Sequence, residues 1–195
     1  MIWFSSDLHL GHHNIIKYSN RPFKDVYHMH ENFVRNFNER VKEDDTVIFV
    51  GDFCFKNSKN GKVGQGTPKT AKEWLKDYNG QWIFVKGNHD GNNSLNTPIT
   101  KLYLKFGGER ICVVHKPEEA EDRFRINLVG HVHHAWKIKR LYDNSFMYNV
   151  GVDANNYKPV NITEIIRGVN QFKKNEKIAK RNLDENIKER TQSQI

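Results

Sequence analysis

Cysteine is scarce in this chain, and so are the segments that mark a secreted protein. Only two cysteines occur among 195 residues, Cys54 and Cys112, and both have apolar neighbours. A disulfide-stapled extracellular domain is therefore disfavoured, because such domains need several cysteines to compensate for a small core. The N-terminus also lacks the basic and long apolar segments of a secretory signal. These absences predict a protein of the reducing cytoplasm.

Long apolar runs are missing as well. No run approaches the roughly 20 residues that span a bilayer, and the mean hydropathy is −0.78. We therefore predict no membrane partner.

The length suits one domain with its own core. We expect one folded domain over residues 1–170 and a charged C-terminal helix or tail over residues 171–195; the oligomeric state is left open.

Excess charge is modest outside the C-terminal segment. The formal net charge is +8, and residues 167–195 contain eight Lys or Arg against four Asp or Glu. Half of the excess therefore belongs to a short segment. Such a segment is either a solvated charged helix or a patch that binds nucleic acid.

The chain does contain a series of short apolar runs, and each is followed by a residue that can bind a metal or move a proton. The runs cover residues 2–4, 47–50, 82–85, 111–114 and 126–129. Near-continuous apolarity over such short runs predicts strands that are buried on both faces. In open α/β sheets, ligands bind where the carboxyl ends of the strands meet.

Three amphipathic segments predict helices. Apolar residues recur at spacings of three or four over residues 26–41, with Asp25 as the N-cap, and again over residues 69–78. A third helix begins at Asn161, which forms a capping box with Glu164. A hairpin is predicted for residues 136–142 and 145–150.

The residues after the predicted strands form an ordered set of motifs. They are Asp7-x-His9, Gly51-Asp52, Gly87-Asn88-His89-Asp90, His115 and Gly130-His131-Val132-His133. Singly, most of these motifs are common. In this order, each after a strand, they resemble the calcineurin-like metallophosphoesterase superfamily. The sequence LGHHN at residues 10–14 and RPF at residues 21–23 resemble a subgroup of small bacterial and phage members.

This resemblance implies a fold and a set of metal ligands. The fold would be an α/β, four-layer α/β/β/α sandwich with two facing mixed β-sheets flanked by helices. The ligands would be Asp7, His9 and His133 for one divalent ion, Asn88, His115 and His131 for the other, and Asp52 as the bridge. A set of carboxylate, amide and imidazole without thiolate suits Mn²⁺, which we favour, and also Fe, Zn²⁺ or Ni²⁺.

The resemblance also implies catalytic and substrate-binding roles. His89 would stand beside the substrate phosphate as a general acid or charge stabiliser, and Asp90 would orient its ring. Four further side chains are candidates for substrate contact: His12, Asn14, Arg21 and Lys116.

Together these features predict a dinuclear metal-dependent phosphohydrolase. Two divalent ions about 3.5–4 Å apart can acidify a bridging water and stabilise an in-line displacement. Two ions, two carboxylates and one hydroxide sum to about +1, which complements a phosphodiester monoanion. We therefore predict a phosphodiesterase that acts on a nucleotide or another phosphodiester by attack of a metal-bridging hydroxide. The alternatives are a phosphomonoesterase, a catalytically silent binding scaffold of the same fold, and a basic nucleic-acid-binding protein with incidental histidines.

Other predictions concern the surroundings of the crevice. Three loops, at residues 56–68, 92–98 and 116–125, are expected to form its rim. His28, His30 and His134 are expected to be solvated or to lie behind the ligands. Cys54 is expected to be a small buried packing residue.

Overall fold

The computed structural model describes residues 1–55, 69–92, 95 and 97–192, with the backbone alone at residues 92, 184 and 186–192. The helices are α1 (Ile15–Tyr18), α2 (Val26–Asn38), α3 (Ala71–Leu75) and α4 (Ile162–Gln192). The strands are β1 (Ile2–Ser5), β2 (Thr46–Val50), β3 (Gln81–Val85), β4 (Lys101–Phe106), β5 (Glu109–Val114), β6 (Ile126–Val129), β7 (Ile138–Tyr142), β8 (Ser145–Asn149) and β9 (Val160–Asn161). The five strands predicted from apolar runs are β1, β2, β3, β5 and β6.

These strands form two mixed sheets. The first has the order β3-β2-β1-β9 and the second the order β4-β5-β6-β8-β7. In the first sheet β1, β2 and β3 are parallel, so that Trp3 pairs with Val47 and Val47 with Trp82, whereas β9 is antiparallel to β1. In the second sheet β5, β6 and β8 are parallel, and β4 and β7 are antiparallel edge strands. The predicted α/β class with two mixed sheets is confirmed.

The sheets face each other across one apolar core. Because successive side chains on a strand point to opposite faces, Phe4 points into this core while Trp3 points away from it. Inward residues of both sheets contribute, and α4 adds three buried side chains to the same core: Ile162, Ile165 and Val169. The core therefore joins the sheets to one another and to the C-terminal helix.

The outer faces of the sheets are covered differently. On the first sheet, Val47 and Phe49 pack with the apolar faces of α2 and α3. On the second sheet, Cys112 and Met147 pack with Phe124 from the loop before β6 and with Trp136. The edge strand β3 departs from the expected burial on both faces, since Gln81 and Ile83 are exposed.

Helix boundaries follow local capping chemistry. The Asp25 carboxylate accepts the His28 N–H at 2.8 Å, as predicted for an N-cap. Asn161 and Glu164 each accept the other's backbone N–H, at 2.9 and 3.0 Å, which confirms the predicted capping box. The predicted helix over residues 69–78 is shorter in the structure, where α3 begins after the Thr70 cap and ends at Leu75.

The C-terminal helix is continuous across the predicted domain boundary at residues 170 and 171. Among the residues that the structure describes, no helix combines the length and the apolarity needed to cross a membrane. Of the three predicted rim loops, residues 56–68 lie outside the described residues, and residues 92–98 do so in part.

Candidate metal centre

The loops that follow β1, β2, β5 and β6 are joined by backbone hydrogen bonds at one end of the two sheets. Asp7 N–H donates to Gly51 O at 3.1 Å, and His9 N–H donates to Asp52 O at 3.0 Å. Gly130 N–H donates to His115 O at 3.0 Å in the same way. The first-sheet and second-sheet loops also meet directly, because the Asp7 carboxylate accepts the His131 N–H at 3.0 and 3.1 Å.

Backbone strain is concentrated on the predicted ligands. Five of them have positive φ angles between 48° and 70°: Asp7, His9, Asp52, His131 and His133. Non-glycine residues adopt this left-handed conformation at a cost, and such residues cluster at functional sites. Here the conformation turns each ligand side chain out of its strand direction at the sheet end.

Close packing of the loops leaves no room for a Cβ atom at two glycines. A Cβ atom on Gly51, which has φ of +86°, would lie 2.4 Å from His115 Nδ1. A Cβ atom on Gly87 would lie 2.2 Å from Asp52 Oδ1. The glycines of the Gly-Asp and Gly-Asn-His-Asp motifs therefore allow their ligand side chains to approach one another.

The structure brings the predicted ligands into two neighbouring clusters. Each cluster supplies one carboxylate and two imidazoles whose ligand atoms all lie within 4.8 Å of one another. The first consists of Asp7, His9 and His133, and the second of Asp52, His115 and His131. Asn88 adjoins the second cluster, with its Oδ1 atom 3.0 Å from His115 Nε2.

Asp52 lies between the two clusters. Its Oδ2 atom is 3.3 Å from His115 Nε2 and 3.6 Å from His9 Nε2. Its other oxygen, Oδ1, accepts the His89 N–H at 2.8 Å. One carboxylate therefore faces imidazoles from both clusters and also fixes the loop that carries His89.

The hydrogen bonds of the imidazoles fit metal binding. His115 Nδ1 must donate to the Val50 carbonyl at 2.8 Å, so its Nε2 is left facing the oxygens of Asp52 and Asn88. His9 Nε2 is buried and has no hydrogen-bond partner among the residues that the structure describes. A buried nitrogen with no partner is costly, and a cation among these acceptors would satisfy it.

Electrostatics lead to the same conclusion. Burial lowers the pKa of His9 well below its usual value, so its ring is a neutral ligand at pH 7. Burial also opposes charge on both members of the Asp52 and His115 pair, but their mutual attraction dominates. It lowers the pKa of Asp52 to about 2 and raises the pKa of His115 to about 9. The carboxylates of Asp52 and Asp7, which stabilise the proton on His115, would equally stabilise a metal cation.

Asp153 is a part of the site that sequence reasoning missed. Its Oδ2 accepts the His133 Nδ1–H at 2.8 Å, which leaves Nε2 of that ring for a metal. Arg21 holds the same carboxylate with two hydrogen bonds, at 2.8 and 2.9 Å. Asp153 lies two residues after Gly151, which follows β8 with Val150 between them. The order of strand, glycine and aspartate resembles that of β2 and Gly51-Asp52, with one extra residue after the glycine. That pattern could have identified it.

Arg21 was predicted to contact substrate, but the structure places it beneath the site. Its side chain is fully buried. Besides Asp153, it donates to the carbonyl oxygens of Asp7 at 2.7 Å and Leu8 at 3.0 Å. Its guanidinium therefore connects the loop that carries Asp7 to Asp153, the carboxylate that binds His133.

The two predicted catalytic residues lie in contrasting positions. His89 is exposed, and its ring centroid lies 5.4 Å from that of His9, so it can meet a substrate at the metal centre. Asp90 is buried and accepts the backbone N–H groups of Gly87, Asp52 and Phe53 at 2.7 to 3.2 Å. These bonds fix the loops that carry the ligands.

The other predicted substrate contacts are Asn14, Lys116 and His12. Asn14 is exposed, and its side chain makes no cap hydrogen bond to α1. Lys116 is half-buried, and its positive charge contributes to lowering the pKa of His131, a shift caused chiefly by burial. His12 is half-buried, and burial lowers the pKa of its ring to about 4, so the ring is neutral at pH 7.

The remaining histidines lie outside the clusters. His134 is exposed. His30 is buried rather than solvated, and its Nε2 accepts the Gly11 N–H at 2.9 Å. It therefore supports the loop that follows His9.

An α/β sandwich that carries two clusters of imidazole and carboxylate at its strand ends is the arrangement of the metallophosphoesterases. A family model for the calcineurin-like phosphoesterases matches residues 1–184. The chain belongs to that family and is a metal-dependent phosphoesterase. The resemblance predicted from the motifs is thereby confirmed.

Relatives are found in an archaeon and a phage. The chain is 30% identical over 179 residues to the uncharacterized protein MJ1445 of Methanocaldococcus jannaschii, covering 88% of this chain and 93% of that protein. It is 32% identical over 128 residues to the gene 66 protein of Mycobacterium phage L5, covering 66% of this chain and 56% of the phage protein. Among solved structures, a protein of unknown function, AQ665 from Aquifex aeolicus, shares the fold. The TM-score is 0.62 with 21% identity, over 86% of this chain and 98% of that one.

Proposed function

We propose that this protein is a phosphodiesterase with two divalent metal ions. Asp7, His9 and His133 hold one ion, Asn88, His115 and His131 hold the other, and Asp52 bridges them. The observation that carries the proposal is the position of Asp52 Oδ2, within 3.3 and 3.6 Å of a histidine from each cluster.

The ions would supply Lewis acidity and an acidified water at neutral pH. The chain's own residues orient the side chains that would bind these ions. Val50 O and the Asp153 carboxylate set the tautomers of His115 and His133, and Asp52 fixes the backbone of His89. The exposed ring of His89 then donates a proton to the leaving oxygen or stabilises its charge.

The charge of the ligand set is compatible with a diester substrate. Only two of the seven ligands are carboxylates, and with two divalent ions they leave the centre positive, which suits an anionic phosphodiester. We propose Mn²⁺ as the metal, although a set of imidazole, carboxylate and amide without thiolate also suits Fe, Zn²⁺ or Ni²⁺. Free, buried Cys54 and Cys112 are compatible with the reducing cytoplasm that we propose as the location.

The first test is hydrolysis of bis-p-nitrophenyl phosphate by chelator-stripped protein that is resupplied with Mn²⁺. We expect turnover to return with the metal. Asp52→Asn should suppress both metal binding and turnover. His89→Ala should retain two ions per chain and lose about 10²- to 10⁴-fold in rate. The exposed neighbour His13 provides a matched control, and His13→Ala should behave as wild type.

The outcomes separate the alternatives. Full activity in both Asp52→Asn and His89→Ala would reject the assigned roles. Faster turnover of p-nitrophenyl phosphate than of the diester would indicate a phosphomonoesterase. Two bound ions without hydrolysis of either substrate would favour a binding scaffold, and no bound metal would reject the site.

A further inference from the structure

A wall of three aromatic rings stands beside the candidate metal centre. His12 is stacked on Phe55, with ring centroids 4.3 Å apart and an interplanar angle of 10°. Tyr18 meets His12 edge to face, with centroids 6.1 Å apart. We call these three residues the aromatic wall.

The aromatic wall begins at the metal ligands. The His12 ring centroid lies 6.0 Å from that of His9, whose ring is in turn 5.4 Å from the exposed ring of His89. A phosphate held at the centre therefore has His89 on one side and His12 within the reach of a substituent. The three rings are not members of the ligand set, and His12 is joined to it through its backbone N–H, which donates to the His9 carbonyl at 3.0 Å.

Tyr18 is exposed although the residues around it are firmly anchored. It is 69% exposed, the same value as the N-terminal methionine. Its helix, α1, is fixed by the buried side chain of Ile15 and by the bond from Tyr18 N–H to Asn14 O at 2.9 Å. The Arg21 N–H also binds Ile16 O at 2.8 Å, which ties α1 to the buried arginine. A large ring is thus presented to solvent on a rigid turn.

A rigid, exposed ring next to two stacked rings is suited to a planar partner. Aromatic pairs gain from offset or edge-to-face contact beyond the area they bury, and every nucleobase has a face that stacks on such rings. Lysine and arginine are absent from the aromatic wall itself. Its rings suit contact with the flat substituent of a phosphate ester.

We propose that the aromatic wall binds an aromatic substituent of the phosphoester, a nucleobase being the fitting class, and that Tyr18 determines this specificity. The inference rests on the proposed phosphoesterase site, because the metal centre would hold the phosphate from which the substituent extends.

The test is calorimetric binding of two phosphates to the Mn²⁺-loaded protein. Thymidine 5′-monophosphate carries a base, and methyl phosphate does not. We expect wild type to bind the nucleotide more tightly. Tyr18→Ala should weaken nucleotide binding by about 5- to 10-fold, the lower part of the range for base stacking, and should leave methyl phosphate binding unchanged.

Two further variants distinguish stacking from other causes. Tyr18→Phe keeps the ring and should bind the nucleotide as wild type does. Tyr142, which is 64% exposed at the far end of β7, provides the matched control. Equal nucleotide affinity in wild type and Tyr18→Ala would overturn the proposal, as would an equal loss in Tyr18→Phe.

A parallel rate measurement keeps the two proposals apart. Thymidine 5′-(p-nitrophenyl phosphate) and methyl p-nitrophenyl phosphate share a leaving group, and the first carries a nucleoside, deoxyribose with its base, where the second carries a methyl group. Turnover of both, with no dependence on Tyr18 in rate or in nucleotide affinity, would reject the aromatic wall and leave the phosphodiesterase standing. Tyr18-dependent nucleotide binding without turnover of either ester would support the wall and contradict the proposed reaction.

Discussion

Asp153 lies between a buried arginine and a histidine of the candidate metal centre, and it acts on both. Burial alone would raise the pKa of its carboxyl, but hydrogen bonds from His133 and Arg21 lower that pKa to about 2. The carboxylate is therefore anionic at neutral pH. An anion on Nδ1–H makes the opposite nitrogen of His133 a stronger and better oriented ligand.

Asp153→Asn should weaken metal binding without removing a ligand. Loss of the negative charge lowers the basicity of His133 and unpairs Arg21, so we expect a 10- to 100-fold lower Mn²⁺ affinity, about the range seen for such partners. Competition with a chromogenic chelator measures the affinity. The exposed Asp143 gives the control Asp143→Asn. Unchanged affinity in Asp153→Asn would show that His133 does not depend on this carboxylate.

His30 makes stability depend on pH. Burial is the main cause that lowers the pKa of its ring from 6.5 to about 4. The unfolded chain therefore binds a proton at His30 in a pH range where the folded chain does not. By linkage, stability from this residue is complete above pH 6.5 and is lost as the pH falls toward 4.

His30→Gln should flatten this part of the pH profile. The shift corresponds to a loss of up to about 3 kcal/mol in the free energy of unfolding of wild type across that range. Urea unfolding of metal-free protein at several pH values measures it. His28→Gln, on the same helix, should keep the slope of wild type. An unaltered slope in His30→Gln would mean that the ring is already protonated when folded.

At the scale of elements, the candidate metal ligands lie in the loops that follow strand ends. This regularity made the site predictable from the sequence. Apolar runs identify buried strands by local composition, and the polar residues after them identify one edge of a sheet. Which strands share a sheet is decided by long-range packing, and no local pattern specifies it. Arg21 shows the limit of prediction from local sequence. An arginine in a loop is expected to contact solvent or substrate. Its burial is explained only by Asp153, which the fold brings next to it.

The helix α4 changes character along its length. Ile162, Ile165 and Val169 are buried in the core, whereas Ile178 and Leu183 are 49% and 59% exposed. Lys173 Nζ donates to Asn144 Oδ1 at 2.6 Å, in the turn before β8. That turn is at the opposite end of its sheet from the metal ligands, so this part of the basic segment does not border the centre.

Removal of residues 178–195 should therefore cost little. We expect the free energy of unfolding to change by less than about 1 kcal/mol, because the exposed apolar side chains lose little burial, and we expect phosphoesterase activity to persist. Ile165→Ala, within the buried part of α4, should instead cost about 2–5 kcal/mol. Thermal and urea unfolding measure both. A large loss on truncation would show that the residues removed stabilise the fold.

At the scale of the whole molecule, the candidate centre joins two sheets that otherwise meet through an apolar core. Asp7, His9 and Asp52 follow strands of the first sheet, and the histidines at 115, 131 and 133 follow strands of the second. Each cluster takes ligands from both sheets. A metal ion bound there would hold the sheets together, because each cluster is complete only when both sheets are in place.

Mn²⁺ should accordingly stabilise the folded chain. At a free concentration of one hundred times Kd, a site absent from the unfolded state adds about 2.7 kcal/mol to the free energy of unfolding. Thermal unfolding over a series of Mn²⁺ concentrations checks this expectation. Asp52→Asn should respond much less. If wild type melts at the same temperature at every concentration, the ions do not bind the folded state in preference to the unfolded chain.

The wide separation of the contacting residues along the chain has a consequence for biosynthesis. The bond between His131 and Asp7 spans 124 residues, and the pairing of Arg21 with Asp153 spans 132. The ribosome makes Asp153 146 residues after Asp7. A nascent chain that ends before Asp153 lacks the carboxylate that orients His133, so a complete centre can take up metal only after that residue has been made.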